Sequence, residues 1–362
     1  MASNSYDVII IGGGQSGLAV GYYIRRSGLS YVILDREAEG GGSWQHMWQS
    51  LRLFSPAQWS SLPGIIMPGG PDYYPTRQEA IDYLLLYEEK YKLNIRRPVA
   101  VTSVVKDGTG FEVETSAGKY HSIAIVNATG TFNSPVYPEI PGVNTFRGTI
   151  LHSSQYSTPG AFRNKTVAVF GEGNSGAQIL AELSSVAQTI WITLKDPTFL
   201  PDHIDGRFLF DAATRMYEAR KQGKDYTPPS LGQIVMVPPV KAAYARGVFD
   251  VRKPAVSEVT TDGLRWADGA SAKVDAIIFC TGFRPNLDFL HIPGIIESDK
   301  KPLTTETRST RVDGMWFVGY GNWTGFASAT LIGVGRSART TVDQVVQYLN
   351  AHTSTRLRGF EG

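Results

Sequence analysis

The chain begins with a short apolar run followed by a longer amphipathic stretch, and this order predicts a buried parallel strand that leads into a helix. Residues 6–11 end in a β-branched run, as expected of a strand covered on both faces. Residues 18–27 follow as a helix that Gly28 ends, and residues 31–34 form the next strand. The pattern therefore predicts a strand-helix-strand unit at the start of the chain.

The turn between the first strand and the helix has the spacing G-x-G-x-x-G. Gly12 allows a tight turn, Gly14 lets the backbone approach a pyrophosphate, and Gly17 lets the helix pack closely on the strand. Asp35, at the end of the second strand, can accept hydrogen bonds from a ribose. A lone glycine-rich turn would be an ordinary loop, but the strand, turn, helix and acid together predict a dinucleotide site.

The same arrangement recurs in the second half of the chain. A predicted strand over residues 165–170 precedes a second G-x-G-x-x-G turn, residues 171–176, and a predicted helix over residues 177–184. The next strand, residues 189–193, leads to Lys195 instead of an acid. A cation there suits the 2'-phosphate of NADPH, although a solvated surface lysine is the plain alternative. The two turns therefore predict two different dinucleotides, FAD at the first and a nicotinamide cofactor at the second.

Two later apolar strands share one form. Residues 123–127 and 275–279 each lead into a Thr-Gly pair, where the chain is expected to cross between domains and small residues let the backbone pass close to a dinucleotide. Residues 99–113 alternate in hydrophobicity around Gly108 and Gly110, which predicts a small antiparallel meander that braces the first domain.

The end of the chain completes the pattern with a strand over residues 315–318 and an amphipathic helix over residues 327–350. The N-terminus of that helix would offer roughly half a positive charge to the pyrimidine of a flavin. Alternatively, the helix simply covers one face of the sheet, and both interpretations can hold.

Composition and charge narrow the class of protein. Hydrophobic residues make up 42% and charged residues 19% of the 362 residues, so the chain can bury a large core and is unlike a disordered protein. The 35 Lys and Arg nearly balance the 33 Asp and Glu without a dense basic run, so we expect no nucleic-acid partner. No apolar run is long enough for a signal peptide or a membrane span, and the single cysteine, Cys280, permits no internal disulfide. We therefore expect a cytoplasmic protein without a membrane partner.

Metal and hydrolase chemistry have little support in the sequence. Asp202, His203 and Asp205 lie close together, but they have neither the helical spacing of a metalloprotease nor the thiolates of a zinc ribbon. The chain also has no G-x-S-x-G motif. We therefore expect no metal site.

Residues 146–156 have the form F-x-G-x-x-x-H-x-x-x-Y, and residues 41–44 read Gly-Gly-Ser-Trp. Together with the two glycine turns, these motifs resemble the class B flavin-containing monooxygenases over essentially the whole chain. Residues 53–59 and 327–333 are most similar to the short bacterial members, including flavoprotein monooxygenases found beside arsenic-resistance functions. Related Baeyer-Villiger enzymes carry Trp where this chain has Tyr156, which favours oxygenation of a heteroatom.

The resemblance implies an α/β protein with two Rossmann-like dinucleotide-binding domains, for FAD and NAD(P), and a small antiparallel β-meander. The FAD-binding domain would comprise residues 1–154 and 286–362, interrupted by an NAD(P)-binding domain at residues 155–285. The implied enzyme transfers a hydride from NADPH or NADH to FAD and forms a C4a-(hydro)peroxyflavin with O2. It then oxygenates a soft nucleophile such as a sulfide. A small-molecule substrate and O2 are the expected partners, and a homodimer is the candidate assembly.

The resemblance also assigns roles to individual residues. Phe54, Asn322 and Trp323 are the catalytic candidates, and Phe326 would line an apolar substrate pocket with Phe54 and Trp323. Packing in the core is the alternative role for these three aromatic side chains. His152 would lie in the linker between the domains, where a structural role is favoured over a catalytic one. The cofactor-binding candidates lie at the glycine turns, the strand ends and the crossing points: Gly12, Gly14, Gln15, Ser16, Gly17, Asp35, Gly42, Ser43, Trp44, His46, Thr129, Gly130, Gly171, Gly173, Asn174, Ser175, Gly176, Lys195, Thr281 and Gly282.

Two residues depart from the family pattern. Phe54 stands where many members have asparagine, so it offers no hydrogen bond to an oxygenated flavin. Lys195 stands where arginine is usual and lacks its planar fork, so NADH and NADPH are both candidates. The alternatives are an NAD(P)H oxidase producing hydrogen peroxide, a Baeyer-Villiger-type oxygenase acting on ketones, and a non-catalytic nucleotide-binding redox sensor. A flavin disulfide reductase would need a redox-active cysteine pair, which the chain lacks.

Overall fold

The computed structural model describes residues 4–358 apart from residues 109, 202–210, 213–214, 217, 220–221, 228–232, 251 and 298–299. Asp202, His203 and Asp205, the residues considered for a metal, lie outside the described residues. Among the residues that are described, no group of three or more His, Cys, Asp or Glu side chains is placed to hold a metal ion. Over the same residues, the helices are too short or too polar to cross a membrane.

Strands and helices alternate in both halves of the chain. The helices are α1 (Gln15–Ile24), α2 (Arg77–Tyr91), α3 (Asn174–Leu183), α4 (Pro238–Ala245) and α5 (Leu331–Arg358). The strands are β1 (Ser5–Ile11), β2 (Tyr31–Leu34), β3 (Ile95–Arg96), β4 (Val101–Asp107), β5 (Gly110–Thr115), β6 (Gly118–Asn127), β7 (Thr149–His152), β8 (Thr166–Phe170), β9 (Gln188–Ile192), β10 (Arg252–Lys253), β11 (Glu258–Val259), β12 (Gly263–Arg265), β13 (Ser271–Lys273), β14 (Ala276–Phe279), β15 (Thr304–Thr305), β16 (Arg308–Ser309) and β17 (Met315–Phe317).

The first sheet has the order β15-β16-β17-β6-β1-β2-β3, with β5 and then β4 extending from β6. Strand β1 pairs in parallel with β2 and β6, and β17 pairs in parallel with β6. Side chains alternate across β1: Val8 and Ile10 pack in one core cluster with α1 and α5, while Ile9 and Ile11 pack in a second cluster with the meander. This burial on both faces explains why the strand reads as an apolar run.

The second sheet has the order β10-β9-β8-β14-β7 and is entirely parallel. Val167 and Val169 face α3, whereas Ala168 and Phe170 face a small antiparallel sheet formed by β11, β12 and β13. The prediction of an α/β protein with two Rossmann-like units and an antiparallel meander is confirmed.

The starts of three helices differ from the prediction for local reasons. Helices α1 and α3 each begin directly after the second glycine of their turn, because Gly14 and Gly173 occupy the N-cap position. Helix α5 begins at Leu331 and not at Ala327, because Ala327 has a φ of +58° and cannot continue a helix.

The sheet to which β7 belongs indicates where the first domain boundary lies. Strand β7 pairs in parallel with β14 in the second sheet, although the predicted FAD-binding domain extends to residue 154. We therefore propose that the first boundary lies before Thr149, while the second boundary, near residue 286, stays a prediction.

The two Thr-Gly segments pair with each other where the chain crosses between the sheets. The amide of Val136 donates to the carbonyl of Gly282 over 3.0 Å, and the amide of Asn286 donates to the carbonyl of Gly130 over 3.1 Å. The Thr281 hydroxyl donates to the carbonyl of Val136 over 2.5 Å. The crossing is therefore a short antiparallel pair and not two independent linkers.

His152 is completely buried beside this crossing. Its Nε2 lies 3.1 Å from the carbonyl oxygen of Gly282, and its Nδ1 accepts from the amide of Ser154 over 3.2 Å. A donating Nε2 and an accepting Nδ1 define a neutral ring. Burial lowers the pKa of His152, and the bond to Gly282 only partly opposes that effect. The geometry supports the predicted structural role of this histidine.

We expect the protein to lose stability as the pH falls below the ordinary histidine pKa of about 6.5. In that range the unfolded chain binds a proton that folded His152 resists, so the free energy of unfolding decreases until the lowered pKa is passed. His152→Gln can still donate to Gly282 and should reduce the slope of unfolding free energy between pH 7 and 5 by up to about 1.4 kcal/mol per pH unit. Urea unfolding of FAD-saturated protein measures this slope. Exposed His121→Gln is the control, and equal slopes in the two variants would contradict the assignment.

Candidate functional site

The three glycines that form the G-x-G-x-x-G motif of the first turn have different physical roles. Gly12 has a φ of +106°, and a Cβ there would lie 2.5 Å from the carbonyl oxygen of Ala128. A Cβ on Gly17 would overlap the carbonyl oxygen of Gly12. Gly14 has an ordinary φ of −77°, and a Cβ there would meet only the Cα of Gly42, at 3.8 Å. The fold therefore requires Gly12 and Gly17, whereas it leaves open space at Gly14.

The second turn repeats this division. A Cβ on Gly171, at a φ of +125°, would overlap the carbonyl oxygen of Cys280, and one on Gly176 would overlap the carbonyl oxygen of Gly171. Gly173 has a φ of −97° and no atom within 4 Å of a Cβ. In both turns, the second glycine of the motif, Gly14 or Gly173, borders space that no protein atom fills.

The N-termini of the two turn helices carry no side-chain cap. Helix α1 begins on Gly14 and α3 begins on Gly173, and neither N-cap makes a side-chain hydrogen bond. Helix α2, by contrast, has a complete capping box in which Thr76 and Glu79 bond each other's backbone amides. The free amides of α1 and α3 are therefore available to an anion such as a pyrophosphate.

A cavity of about 500 Å³, here the first cavity, lies in front of the first turn. The side chain of Phe132 stacks on His46 at its edge, and His46 pairs with Glu37 over 3.0 Å. The structure brings together most residues predicted for the first cofactor at this cavity: Gly12, Gly14, Gln15, Ser16, Asp35, Gly42, Ser43, Trp44, His46, Thr129 and Gly130.

The Gly-Gly-Ser-Trp segment is held against the turn from two sides. Trp44 donates from Nε1 to Gln15 over 3.2 Å, and Gln15 donates to the carbonyl of Ala329, just before α5, over 2.7 Å. Arg77 at the start of α2 donates to the carbonyl of Trp44 over 2.9 Å and also bonds the carbonyl of Gln45. The role of Arg77 was not predictable from the sequence, because the contact spans a loop and a helix start.

Asp35 lies at the end of β2 as predicted, but its carboxylate is paired. Arg97 donates from Nε to Asp35 over 2.6 Å and from both terminal nitrogens to Glu88. Burial alone would lower the pKa of Arg97, but the bonds to Glu88 and Asp35 outweigh it and raise the pKa. Arg97 also donates to the carbonyl of Gly13 over 3.3 Å, so it fixes the acid and the turn together.

The side chains predicted for the second cofactor site lie in several different settings. The Asn174 amide bonds the backbone of residues 233 and 235 through both of its polar atoms, so it anchors that segment. Lys195 is exposed beyond the end of β9. Ser175 lies in the first turn of α3. Thr281 and Gly282 belong to the crossing and do not line either cavity described here. Their cofactor-binding roles stay predictions.

A second cavity, of about 1180 Å³, lies on the other side of the loop that precedes α5. Asn322, Trp323 and Phe326 line it. Met216 also lines it; this residue lies between β9 and β10 in the second unit, the one that contains the second sheet. Phe54 is half-buried against the main core cluster and is not among the residues lining either cavity. The structure therefore groups two of the three catalytic candidates and leaves Phe54 apart from them.

These features fit two bound dinucleotides. Each glycine turn offers an uncapped helix N-terminus and a middle glycine bordering empty space, and Gly42 faces Gly14 so closely that a Cβ on Gly42 would lie 2.7 Å from the Cα of Gly14. Such a backbone cradle without side chains suits a pyrophosphate. The fold and the site define a flavoprotein oxidoreductase with two nucleotide sites.

Comparison with known proteins agrees with this class. Residues 9–319 match the family model described as pyridine nucleotide-disulphide oxidoreductase, and the chain belongs to this family. The protein is an NAD(P)H-dependent flavin oxidoreductase of the monooxygenase type, with FAD and NAD(P)H as its cofactors.

Similar proteins include both monooxygenases and a reductase. A flavin-containing monooxygenase from Stenotrophomonas maltophilia is 47% identical with a TM-score of 0.87, over 95% of this chain and 99% of that chain. An uncharacterized CzcO-like oxidoreductase from Geobacillus kaustophilus is 31% identical over 351 residues, 94% of this chain and 99% of its own length. The bacillithiol disulfide reductase Bdr from Staphylococcus aureus, 17% identical, shares the fold, with a TM-score of 0.71 over 96% of this chain and 99% of that chain. The predicted resemblance to short bacterial flavin-containing monooxygenases is confirmed.

Alanine at the middle glycine of each turn should separate the two cofactor sites. Gly14→Ala should fold normally, because the protein leaves room for the Cβ, yet the purified variant should lose most of its FAD. Gly173→Ala, at the equivalent place in the second turn, should keep FAD and raise the KM for NADPH. Flavin absorbance per protein and steady-state kinetics measure the two effects. Full FAD content in Gly14→Ala would contradict the assignment of the first site.

Lys195 tests the choice between the two nicotinamide cofactors. If this exposed lysine contacts the 2'-phosphate, Lys195→Ala should raise the KM for NADPH about fivefold, since an exposed ion pair contributes about 1 kcal/mol. The KM for NADH should stay unchanged, and Lys253→Ala on the neighbouring strand β10 provides a matched control. An equal change in the KM for NADPH and for NADH would show that Lys195 does not contact the 2'-phosphate.

Proposed function

We propose that the protein oxygenates soft nucleophiles, organic sulfides above all, with electrons from NAD(P)H and one atom of O2. The observation that carries this proposal is the arrangement of the two cavities around one loop. Gly319 and Ala329 line the first cavity, and the intervening residues from Asn322 to Ser328 line the second. A substrate in the second cavity would therefore be one loop away from the flavin site.

The loop between the cavities is braced by buried hydroxyl groups. Thr324 accepts from the amide of Tyr320 over 3.0 Å and lies 2.7 Å from the Ser328 hydroxyl. Ser328 in turn donates to the carbonyl of Gly321 over 2.8 Å. Trp323 stacks on Tyr320, with ring centroids 5.3 Å apart. A loop held in this way can position the substrate relative to the cofactor, and its aromatic side chains help to exclude water.

Reductase chemistry on a disulfide has no support in the side chains. Cys280 is the single cysteine, and burial raises the pKa of its thiol to about 12, so it is not poised as a thiolate. Its carbonyl and Cβ pack against Gly171 beside the second turn. The cysteine therefore has a packing role. The similarity to a disulfide reductase is a similarity of fold alone.

Bound FAD would supply the electron transfer and the activation of O2, which no side chain can provide. The protein's own groups bind and orient the cofactors, through the glycine turns, Arg97 and the Trp44-Gln15 pair. The balanced reaction converts a sulfide, O2, NADPH and a proton into a sulfoxide, NADP⁺ and water. A homodimer and a cytoplasmic location stay predictions.

Aerobic turnover with a sulfide tests the proposal. With methyl phenyl sulfide, NADPH consumption should yield methyl phenyl sulfoxide, and electrons from NADPH that do not reach the sulfide should appear as hydrogen peroxide formed from O2. NADPH, sulfoxide and peroxide are quantified together, and the flavin-depleted Gly14→Ala variant is the control.

Three other outcomes would overturn the proposal in favour of the alternatives. Quantitative conversion of NADPH to peroxide with sulfide present would identify an oxidase. A lactone from cyclohexanone without any sulfoxide would identify a Baeyer-Villiger enzyme. The absence of NADPH consumption in air would identify a redox sensor.

A further inference from the structure

One side of the second cavity is formed by a segment of irregular backbone, residues 62–66, here called the wall segment. Leu62 is buried, whereas Ile66 at the rim is 71% exposed, the second most exposed of the large hydrophobic side chains described. A loop with a protruding isoleucine would normally be expected to move. Hydrogen bonds to its backbone nevertheless hold the wall segment in place.

Two tyrosines of α2 bond the backbone of the wall segment. The Tyr83 hydroxyl accepts from the amide of Leu62 over 2.7 Å and donates to the carbonyl of Ile65 over 2.8 Å. The Tyr87 hydroxyl donates to the carbonyl of Pro63 over 2.7 Å. Both tyrosines are buried, and burial raises the pKa of each well above its usual range. Their hydroxyls are therefore permanent donors to this backbone.

Packing fixes the middle of the wall segment as well. Gly64 has a φ of +95°, and a Cβ there would overlap the Tyr91 hydroxyl and lie 2.7 Å from the ring of Tyr22. A Cβ on Gly335 of α5 would lie 2.8 Å from Pro63, so the helix and the wall segment are in close contact. Hydroxyl bonds on one side and helix contact on the other give the cavity a preformed wall.

The lining of the cavity favours an uncharged ligand. Beside the wall segment, apolar contact area comes from Trp323, Phe326 and Ile332, while the charged residues among the described part of the lining are one acid, Glu306, and one base, Arg336. Glu306 already accepts from Gln344 over 2.9 Å. The charges balance, so the cavity provides apolar area without a net field for an ionic substrate.

We propose that the wall segment determines substrate specificity, that the second cavity takes uncharged aryl or alkyl sulfides, and that Ile66 contacts them at the rim. Tyr83 and Tyr87 are positioning residues that act through the wall segment. This inference rests on the proposed function, since it concerns the substrate of the same reaction.

Binding to the oxidised enzyme tests Ile66 without requiring turnover. Methyl phenyl sulfide and dibenzyl sulfide are titrated against the FAD-loaded enzyme, and the change in flavin absorbance gives each Kd. Ile66→Ala should raise the Kd of methyl phenyl sulfide about fivefold through lost apolar contact, and Ile66→Asp should raise it further. Because Ile66 is largely exposed, neither change should alter the melting temperature. Leu86→Ala, at a 49% exposed leucine of α2 outside both cavities, is the matched control.

The positioning role of the tyrosines has its own readout. Tyr83→Phe should raise the KM for dibenzyl sulfide more than that for methyl phenyl sulfide, with FAD content and the KM for NADPH unchanged. Tyr31→Phe, whose hydroxyl accepts from the amide of Asn94, is the control. A change that is equal for both sulfides would show a general structural effect and overturn the positioning role.

The two proposals can fail separately. Sulfide binding that depends on Ile66 but gives no sulfoxide would refute the proposed function and keep the cavity as a binding site. Sulfoxide formation with Kd values equal in Ile66→Ala, Ile66→Asp and the parent enzyme would keep the function and overturn the wall segment as its specificity determinant.

Discussion

The fold depends on a close contact between two backbone segments at the first glycine of each turn. At Gly12 the chain passes Ala128 at a distance that leaves no room for a Cβ, and Gly171 passes Cys280 in the same way. Each contact joins a turn to the end of a neighbouring parallel strand, and that strand then continues into a Thr-Gly pair of the crossing. The nucleotide sites and the connection between the units are therefore built from the same few backbone atoms.

Hydrogen bonds pair the two segments of the crossing, whereas the backbone of an ordinary linker is unpaired. The amide and carbonyl groups of the two segments are paired with each other, and His152 adds a side-chain bond to Gly282. A second connection lies between α3 and the first unit, where the Gln178 amide donates to the carbonyl of Arg52 over 3.2 Å and accepts from its amide. The helix that would receive the nicotinamide cofactor is thus tied to the segment that leads to Phe54.

The features that could be predicted from the sequence are those encoded by neighbouring residues. The strands, the glycine turns and the meander follow from local periodicity and glycine spacing, and the structure places them with shifts of a few residues. Arg97, Tyr83 and Tyr87 could not be predicted as partners of Asp35 and the wall segment, because each acts on backbone or side chains that are distant along the chain. Phe54 illustrates the opposite limit, since a position inferred from resemblance carries no information about which cavity its side chain faces.

Under the proposed function, substrate recognition and delivery of the nicotinamide cofactor fall mainly to different units. The braced loop at residues 319–329, the wall segment and the tyrosines that bond it all belong to the first unit, which also holds the first cavity, the proposed flavin site. The second glycine turn, the proposed site of the nicotinamide cofactor, belongs to the second sheet. On the proposed assignment, the distance between flavin and substrate would be set mainly within the first unit, although Met216 of the second unit also lines the substrate cavity. Under the proposed function, reduction and oxygenation would therefore depend on largely different sets of contacts.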